Sequence, residues 1–86
     1  MYYYVYILIS FTKNNLPITY VGYTKDLKKR LELHNNSKGA KFTRGRKWKI
    51  IYKRSYKNKS LAMKNEYLLK INRPLRNKIK NKYLKK

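Results

Sequence analysis

Cysteine is absent from this sequence, so neither a disulfide nor a zinc site built on thiolates can stabilise the fold. The chain has 86 residues and shows no break in composition, no repeat and no low-complexity linker. This length lies near the lower end at which one apolar core sustains folding. We therefore predict a single domain over residues 1–86, stabilised by burial of apolar side chains, with a basic helix or tail at its C-terminal end.

Long apolar runs are also missing. The run from Tyr2 to Ile9 is far too short to span a bilayer, and it has neither the basic region nor the small-residue cleavage site of a signal peptide. No stretch combines a wide apolar face with a lysine-rich one, as a helix lying on a membrane would. These absences predict a soluble intracellular protein, cytoplasmic or located in the nucleoid or nucleus, that does not bind membranes.

Acidic residues are scarce, with Asp+Glu 3 against Lys+Arg 24 and a formal net charge of +21. Such a field concentrates polyanions at the surface by steering and counterion release, which predicts a nucleic-acid partner. An AT-rich coding sequence would also favour Lys, Asn, Tyr and Ile without selection for binding. Both explanations can hold, because a charge of this size binds nucleic acid whatever its origin.

The pattern of apolar residues predicts a mixture of strands and helices. The β-branched and aromatic run from Tyr2 to Ile9 is apolar on both parities, which is typical of a central strand covered on both faces. The polar stretch after it predicts a hairpin. The remaining elements are a strand over Ile18 to Thr24, a helix capped by Thr24 or Asp26 and running to about Asn35, a strand over Trp48 to Tyr56, a helix capped by Ser60 and running to about Ile71, and a basic helix from near Pro74.

Glu66 is the acidic residue with the most informative surroundings. Its apolar neighbours Ala62, Met63 and Leu69 lie one helical turn away, which places the carboxylate on or beside the buried face of the helix. An unpaired charge is costly there, so we expect an ion pair, hydrogen bonds or a metal ion. The spacing alone favours a basic partner and a metal equally.

Tyr6 and Tyr20 are two of ten tyrosines, so each taken singly is expected to be a packing residue. In strand alternation Tyr6 shares a face with Tyr4 and Leu8, and Tyr20 lies on the partner strand, where the register is not readable from sequence. A phenol is a poor base at neutral pH, so Tyr6 would need nearby cations to act as one. Gly22 either lets another backbone or a phosphate approach the second strand or marks a bulge.

Arg30 and His34 are four residues apart and share a face of the predicted first helix. Arg30 is either a surface cation paired with Asp26 or a phosphate clamp, for which a planar guanidinium is well suited. His34, the single histidine, is either structural or placed to touch the scissile phosphate or orient a proton. The basic loop that follows is expected to track the backbone of a nucleic acid. Its candidate contacts are Lys38, Lys41, Thr43, Arg44 and Arg46.

The order of these features resembles the GIY-YIG endonucleases, with Tyr4-Val5-Tyr6-Ile7-Leu8, then Tyr20-Val21-Gly22-Tyr23-Thr24, then Arg30 and finally Glu66. Further segments are similar to the small stand-alone branch of this superfamily, the UvrC-like YhbQ/UPF0213 proteins. They are His34-Asn35, the stretch from Lys38 to Arg46, and Glu66-Tyr67. The resemblance covers about Tyr3 to Lys70.

The resemblance implies an α+β fold, in which a three-stranded antiparallel sheet with the first strand central is flanked by three helices. It implies Tyr6 as general base or partner of the base, Tyr20 as hydrogen-bond donor to water or phosphate, and Arg30 as phosphate ligand. Glu66 would bind one Mg²⁺ or Mn²⁺ ion. The family's downstream asparagine has no single match here, since Asn72 and Asn77 both qualify.

Three functions follow from these observations. The first is a metal-dependent endonuclease on DNA, directed by a branched, flapped or single-stranded structure or by a protein partner, in repair, recombination, a mobile element or a virus. The second is a non-enzymatic basic module that binds nucleic acid on the same scaffold. The third is a ribosome-associated or RNA-packaging protein, which the lysine-rich stretch from Lys78 to Lys86 favours.

Overall fold

In the computed structural model, which describes residues 2–85, the chain forms three strands and three α-helices. The strands are β1 (Tyr3–Phe11), β2 (Pro17–Thr24) and β3 (Lys49–Tyr56), and they form one antiparallel sheet in the order β2-β1-β3. The helices are α1 (Leu27–Asn35), α2 (Lys59–Ile71) and α3 (Arg73–Leu84). The predicted fold, with the first strand in the middle and helices around the sheet, is confirmed.

The middle strand is covered on both faces, and residues 5–10 are all buried. On one face, Val5 and Ile7 pack with Ala62 and Leu69 of α2. This explains why the sequence of β1 is apolar on both parities, because each parity faces a separate layer of side chains. The α2 helix therefore lies on the odd-numbered face of β1.

The even-numbered face of β1 belongs to a second apolar cluster. Tyr6 and Leu8 are buried there with Trp48, and the partly buried Leu27 and Leu31 of α1 pack against them. Burying a large apolar side chain contributes about 1.5–3 kcal/mol. The sheet is thus held between α1 on one face and α2 on the other.

The turn between β1 and β2 fixes the register of the hairpin. Asn15 adopts a left-handed conformation with φ 63°, which asparagine tolerates better than most residues. Its N–H donates to Thr12 O at 2.9 Å, and the N–H of Leu16 donates to Thr12 Oγ1 at 3.1 Å. The predicted hairpin is confirmed, and β1 extends two residues beyond the predicted end at Ile9.

Each α-helix begins at a side chain that accepts a backbone N–H. Asp26 caps α1 by accepting from Lys29 N at 3.1 Å, as one of the two predicted caps. The cap of α2 is Asn58 and the prediction of Ser60 is wrong, because Asn58 Oδ1 accepts from Leu61 N at 2.9 Å. Asn72 caps α3, whose first turn contains Pro74 as predicted. Across residues 2–85, none of the helices is long and apolar enough to cross a bilayer.

Trp48 ties the end of α1 to the start of β3. It was predicted as the first residue of that strand, but it precedes the strand and is buried. Its backbone N–H donates to Asn35 Oδ1 at 2.6 Å, and its C=O accepts from Asn35 Nδ2 at 3.3 Å. Its indole Nε1–H donates to Thr43 O at 2.9 Å, which holds a single turn of 3-10 helix at Lys41–Thr43 against the core.

Candidate active site

A pocket of about 290 Å³ contains side chains from four elements of the fold. Tyr6 comes from β1, Tyr20 from β2, Arg30 from α1 and Glu66 from α2. The lining is completed by Gly22, Tyr23 and Thr24 of β2. The structure therefore brings together four of the five side chains for which the sequence predicts a catalytic role.

The pocket lies at the outer edge of β2, because this strand contributes side chains from both of its faces. Tyr20 shares a face with Tyr6, whereas Tyr23 is paired with Val5 and points to the other face. Arg30 approaches from the side of the sheet that α1 covers and Glu66 from the side that α2 covers. An edge strand is the one place where groups from both layers can meet without crossing the sheet.

The hairpin register places the two phenols as diagonal neighbours. Tyr6 is opposite Gly22, and Leu8 is opposite Tyr20, so Tyr6 and Tyr20 lie two positions apart on one face. This register is the observation that the sequence could not supply.

Gly22 makes room for the ring of Tyr6. A Cβ atom at this position would lie 2.6 Å from Tyr6 Cζ and 3.2 Å from Tyr20 Cε2, and it would overlap the Tyr6 hydroxyl. The β1–β2 pairing shows no shift of register at Gly22. The predicted bulge is wrong, because the strand has no shift of register there, and the group that approaches this glycine within the chain is a phenol. Gly22 also lines the pocket, so the approach of a phosphate stays a prediction.

His34 lies behind the pocket and does not line it, so the predicted contact with a scissile phosphate is not available to this buried ring. It connects instead to Tyr6, whose hydroxyl lies 2.9 Å from His34 Nε2. The other ring nitrogen, Nδ1, lies 2.8 Å from Thr43 Oγ1. The Thr43 hydroxyl in turn donates to Ala40 O at 2.8 Å.

The direction of these hydrogen bonds follows from counting protons. The Thr43 hydroxyl has one proton, which it gives to Ala40 O, so Thr43 Oγ1 must accept from His34 Nδ1–H. Neutral His34 then has a lone pair on Nε2, and the hydroxyl of Tyr6 must be the donor to it. The network therefore assigns the tautomer in which His34 carries its proton on Nδ1 and accepts a hydrogen bond at Nε2, on the side of the pocket.

Burial determines the protonation states of Tyr6 and His34. It raises the pKa of the Tyr6 phenol, although the nearby Arg30 acts to lower that pKa. Burial, and after it the positive charge of Arg30, lowers the pKa of His34 below 6.5. At neutral pH the phenol is therefore protonated, and the imidazole is neutral and able to accept.

Thr43 and Gly39 have roles that the sequence did not predict. Thr43 was predicted to contact nucleic acid, but it is fully buried with its hydroxyl directed to His34, which leaves no surface for that contact. A Cβ at Gly39 would lie 3.0 Å from both Cε1 and Cγ of His34 and would overlap Nδ1. Both residues therefore position the imidazole. Their only signal in the sequence is membership of the stretch from Lys38 to Arg46.

Arg30 lines the pocket and has no carboxylate partner within residues 2–85. The predicted alternative, an ion pair with Asp26, does not form, since the ion pair found within residues 2–85 joins Lys70 and Glu66. Arg30 Nε is buried and no acceptor in the described part of the chain satisfies it. The Tyr6 hydroxyl raises the pKa of Arg30, so the guanidinium stays charged. An unpaired buried N–H of a cation favours an anionic ligand in this pocket.

Glu66 forms an ion pair, which is one of the two predicted alternatives. Its side chain is 18% exposed and lies 3.5 Å from Lys70 Nζ, one turn along α2, with the lysine itself 50% exposed. Such a partly solvated pair contributes only about 0–1 kcal/mol, so it does not lock the carboxylate in place. Glu66 is therefore still free to bind a cation that enters the pocket.

The site suits a hard divalent cation that takes most of its ligands from substrate phosphates and water. Residues 2–85 contain no cluster of three or more His, Cys, Asp or Glu side chains that could hold a metal by themselves. Mg²⁺ is commonly bound by one or two carboxylates together with substrate phosphates and water. A single carboxylate beside an anion-binding guanidinium fits that pattern, whereas it would not fit zinc.

The remaining predicted contacts do not line the pocket. Lys38, Lys41 and Arg44 are exposed on the loop after α1, and Arg46 is half-buried. Arg46 Nη1 donates to Phe42 O at 3.3 Å, which keeps this guanidinium close to the loop. These four cations are placed on a surface where they can meet a polyanion.

Comparison with known proteins gives one family. The family model described as the GIY-YIG catalytic domain matches residues 2–83. A UPF0213 protein of Oceanobacillus iheyensis is 48% identical over 52 residues, which cover 59% of this chain and 60% of that protein. A UPF0213 protein of Clostridium perfringens is 44% identical over 68 residues, which cover 78% of this chain and 69% of that protein.

A solved structure is also similar. The solution NMR structure of a UPF0213 protein from Bacillus halodurans is 34% identical, with a TM-score of 0.49, and the match covers 94% of this chain and 84% of that one. The chain spans about three fifths of the length of the Oceanobacillus relative.

Proposed function

Because this chain belongs to the family of GIY-YIG catalytic domains, we propose that it is a metal-dependent endonuclease that hydrolyses phosphodiester bonds in DNA. Membership of the family supports a nuclease role and a nucleic-acid substrate. The metal, the kind of DNA and the cellular process go beyond that and belong to the proposal. The supporting observation is the pocket in which Tyr6, Tyr20, Arg30 and Glu66 meet.

Arg30 is proposed to bind the scissile phosphate. Its charged guanidinium presents planar donors that match the oxygens of a phosphate, and its Nε–H has no acceptor among the described residues. Donors aimed at the charge that develops in the transition state contribute more than those that bind the ground state equally well. Tyr20, on the same face, donates its hydroxyl to the attacking water or to a phosphate oxygen.

Tyr6 and His34 are proposed to remove the proton of the attacking water. The phenol oxygen accepts this proton while its own proton passes to His34 Nε2, 2.9 Å away. The water loses a proton, the phenol is regenerated and the imidazole becomes charged, with Thr43 Oγ1 accepting from Nδ1–H throughout. Tyr6 acts in this way although its pKa is raised by burial, because it never has to hold a negative charge.

Glu66 would hold one Mg²⁺ or Mn²⁺ ion. When bound, such an ion stabilises negative charge on the phosphate and on the leaving oxygen. The weak pair with Lys70 keeps the carboxylate near the pocket and yields readily to a doubly charged competitor.

The distribution of charge supports a substrate recognised by structure or through a partner protein. A net charge of +21 gives strong binding to the phosphate backbone that is independent of base sequence. The cations on the loop after α1 belong to that backbone-binding surface. Branched, flapped or single-stranded DNA in an intracellular setting is consistent with these features, and DNA repair is one process that presents such substrates.

A non-enzymatic nucleic-acid-binding module is the second candidate. The observation in its favour is the ion pair between Glu66 and Lys70, together with the lack of a second acidic side chain in the pocket. On this view the scaffold keeps the basic surface and no longer cleaves.

Substitution of Glu66 separates the two candidates. We expect wild-type protein to nick supercoiled plasmid and branched oligonucleotides with Mg²⁺ and to lose activity in EDTA. Glu66→Gln should be at least about 100-fold slower, because it removes the charge that holds the ion. Its binding to the same DNA in EDTA, at fixed salt concentration, should stay within about twofold of wild type, because the +21 field is nearly unchanged.

Glu32→Gln is the matched control, since it also removes one negative charge but lies on the exposed side of α1 and outside the pocket. It should cleave like the wild type. Equal cleavage by wild type and Glu66→Gln would identify a contaminating nuclease and favour the binding module.

A further inference from the structure

Phe42 is a large aromatic residue that remains exposed next to the catalytic pocket. It lies in the 3-10 turn Lys41–Thr43, which Trp48 and Thr43 hold against the core. Its exposed fraction is 53%. The turn thus presents an aromatic ring to solvent from a rigid support, and burial does not account for it.

The Phe42 ring is aligned with the pocket through Tyr20. The two rings are stacked, with centroids 6.2 Å apart and planes only 20° from parallel. Tyr20 lines the pocket and also lies 5.2 Å from the His34 ring. Phe42 therefore continues a row of rings outward from the proposed site of cleavage.

Arg46 accompanies the exposed ring. Its guanidinium carbon is 6.0 Å from the Phe42 ring centroid, within the range of a cation–π contact, and Nη1 donates to Phe42 O. We call Tyr20, Phe42 and Arg46 the aromatic track. Positive charge and exposed aromatic rings are the two features that proteins combine to bind single-stranded nucleic acid.

The aromatic track leads into a second cavity, of about 500 Å³. Arg46 lines this cavity with Lys13 of the β1–β2 turn and Arg44. The remaining lining residues are Phe11, Thr12, Asn14 and Gly45, so no acidic side chain contributes. We call this cavity the basic basin. Tyr20 lines the pocket and Arg46 lines the basin, so the aromatic track shares a residue with each of them.

We propose that Phe42 is a stacking site for an unpaired nucleobase next to the phosphate held in the catalytic pocket, and that the strand continues from there into the basic basin. This inference rests on the proposed function and names its substrate class, a single-stranded or flapped polynucleotide. A paired base within a duplex already has neighbours on both faces, so it cannot stack on Phe42 without being extruded.

Binding measured without cleavage tests this proposal. Fluorescence anisotropy in EDTA, at one salt concentration, compares a short oligothymidine with a duplex of the same length. Phe42→Leu keeps an apolar side chain in the turn but removes the aromatic face, and Phe42→Tyr keeps the face. We expect Phe42→Leu to bind the single strand about 5-fold to 100-fold more weakly, with duplex affinity changed less than about twofold and Phe42→Tyr close to wild type.

An abasic scan locates the stacked base. One base is deleted at each position of the oligothymidine in turn, and wild type should lose affinity at one or two positions. Phe42→Leu should show no such position, because the ring that the base would contact is gone. The same scan on oligouridine distinguishes RNA from DNA, and a position-dependent loss with either strand supports stacking.

Tyr2→Ala is the matched control, since Tyr2 is 52% exposed and lines neither the pocket nor the basin. It should bind the single strand like wild type. Equal losses for Tyr2→Ala and Phe42→Leu, equal losses on single strand and duplex, or an unchanged abasic profile would each overturn the proposal. Because no cleavage is measured, failure here leaves the endonuclease proposal standing. Equal cleavage by wild type and Glu66→Gln, which would sink the endonuclease proposal, would leave the stacking site standing.

Discussion

Thr43→Val tests the hydrogen-bonded chain behind Tyr6 without altering the pocket itself. The substitution replaces a hydroxyl with a methyl group of similar size, at a position that is fully buried. It removes the acceptor of His34 Nδ1–H and the donor to Ala40 O, which are both 2.8 Å from Thr43 Oγ1. Ala40 is only partly buried, so its carbonyl can turn to water, but the buried imidazole cannot.

The expected loss of stability follows from that one buried N–H. An unsatisfied buried donor costs about 1–3 kcal/mol, so the free energy of unfolding should fall by this amount. His34 can avoid the cost by moving its proton to Nε2, but Tyr6 then faces a donor and can no longer pass on its own proton. This change of tautomer should slow cleavage about 100-fold or more, the usual contribution of a general base.

Thr43→Ser is the control for this experiment, because it keeps the hydroxyl and deletes only a buried methyl. It should lose about 1 kcal/mol of stability and cleave at nearly the rate of wild type. Urea unfolding measures the stabilities of the variants, and plasmid nicking measures their cleavage rates. Nitrogen NMR of the His34 imidazole identifies its tautomer. The reasoning is refuted if the valine and serine variants cleave equally fast, or if Nε2 of His34 carries the proton in wild type.

Two further predictions concern the same network. Between pH 6.5 and the lowered pKa of His34, the unfolded chain binds a proton that the folded chain does not. The free energy of unfolding of wild type, measured with urea, should therefore fall as the pH is lowered from about 7.5 to about 5.5. His34→Gln should lose less over that range, and equal losses would contradict the assignment. Gly22→Ala should destabilise by about 1–3 kcal/mol and slow nicking, because its methyl would meet Tyr6. Gly45→Ala is the control, because Gly45 has φ +76° and open space around it. It should lose about 1–3 kcal/mol of stability through backbone strain but nick DNA like wild type. A similar loss of nicking rate in Gly22→Ala and Gly45→Ala would contradict this role of Gly22.

The strands and helices were predictable because each depends on local pattern. A short run that is apolar on both parities and rich in β-branched and aromatic residues favours a strand covered on both faces, and β1 is one. The cap of α2 was not predictable to the residue. Asn58 and Ser60 are two positions apart and both suit a cap, so only the extended backbone at Asn58 selects it.

The residues of the pocket were predictable by their order along the chain, but their convergence was not. Tyr6 and Tyr20 share a face because the turn at Asn15 sets the pairing of β1 and β2. A shift of one residue in that pairing would place Tyr20 on the opposite face. Sequence order therefore identified the candidates, and the hairpin register brought them together.

The loop after α1 shows where sequence reasoning failed. Its high content of lysine and arginine indicated a solvated surface, which is correct for Lys38, Lys41 and Arg44. Thr43 is nevertheless fully buried, and burial within a loop depends on distant partners, in this case the single histidine. The hydrogen bond between Thr43 and His34 leaves no periodic pattern in the sequence, so composition alone predicts that the whole loop is exposed.

Binding and chemistry are distributed very differently over this chain. Because the chain has 24 basic residues, loss of any one phosphate contact should weaken binding only moderately. It should reduce the slope of log affinity against log salt concentration by about one. The proposed chemistry depends on a few groups, and Glu66 is the one carboxylate that the described residues contribute to the pocket. Its pairing with Lys70 follows from the same imbalance, because a carboxylate in so basic a chain will find a cation nearby. A substitution at Glu66 can therefore separate the two activities, whereas a substitution of any one surface lysine should not.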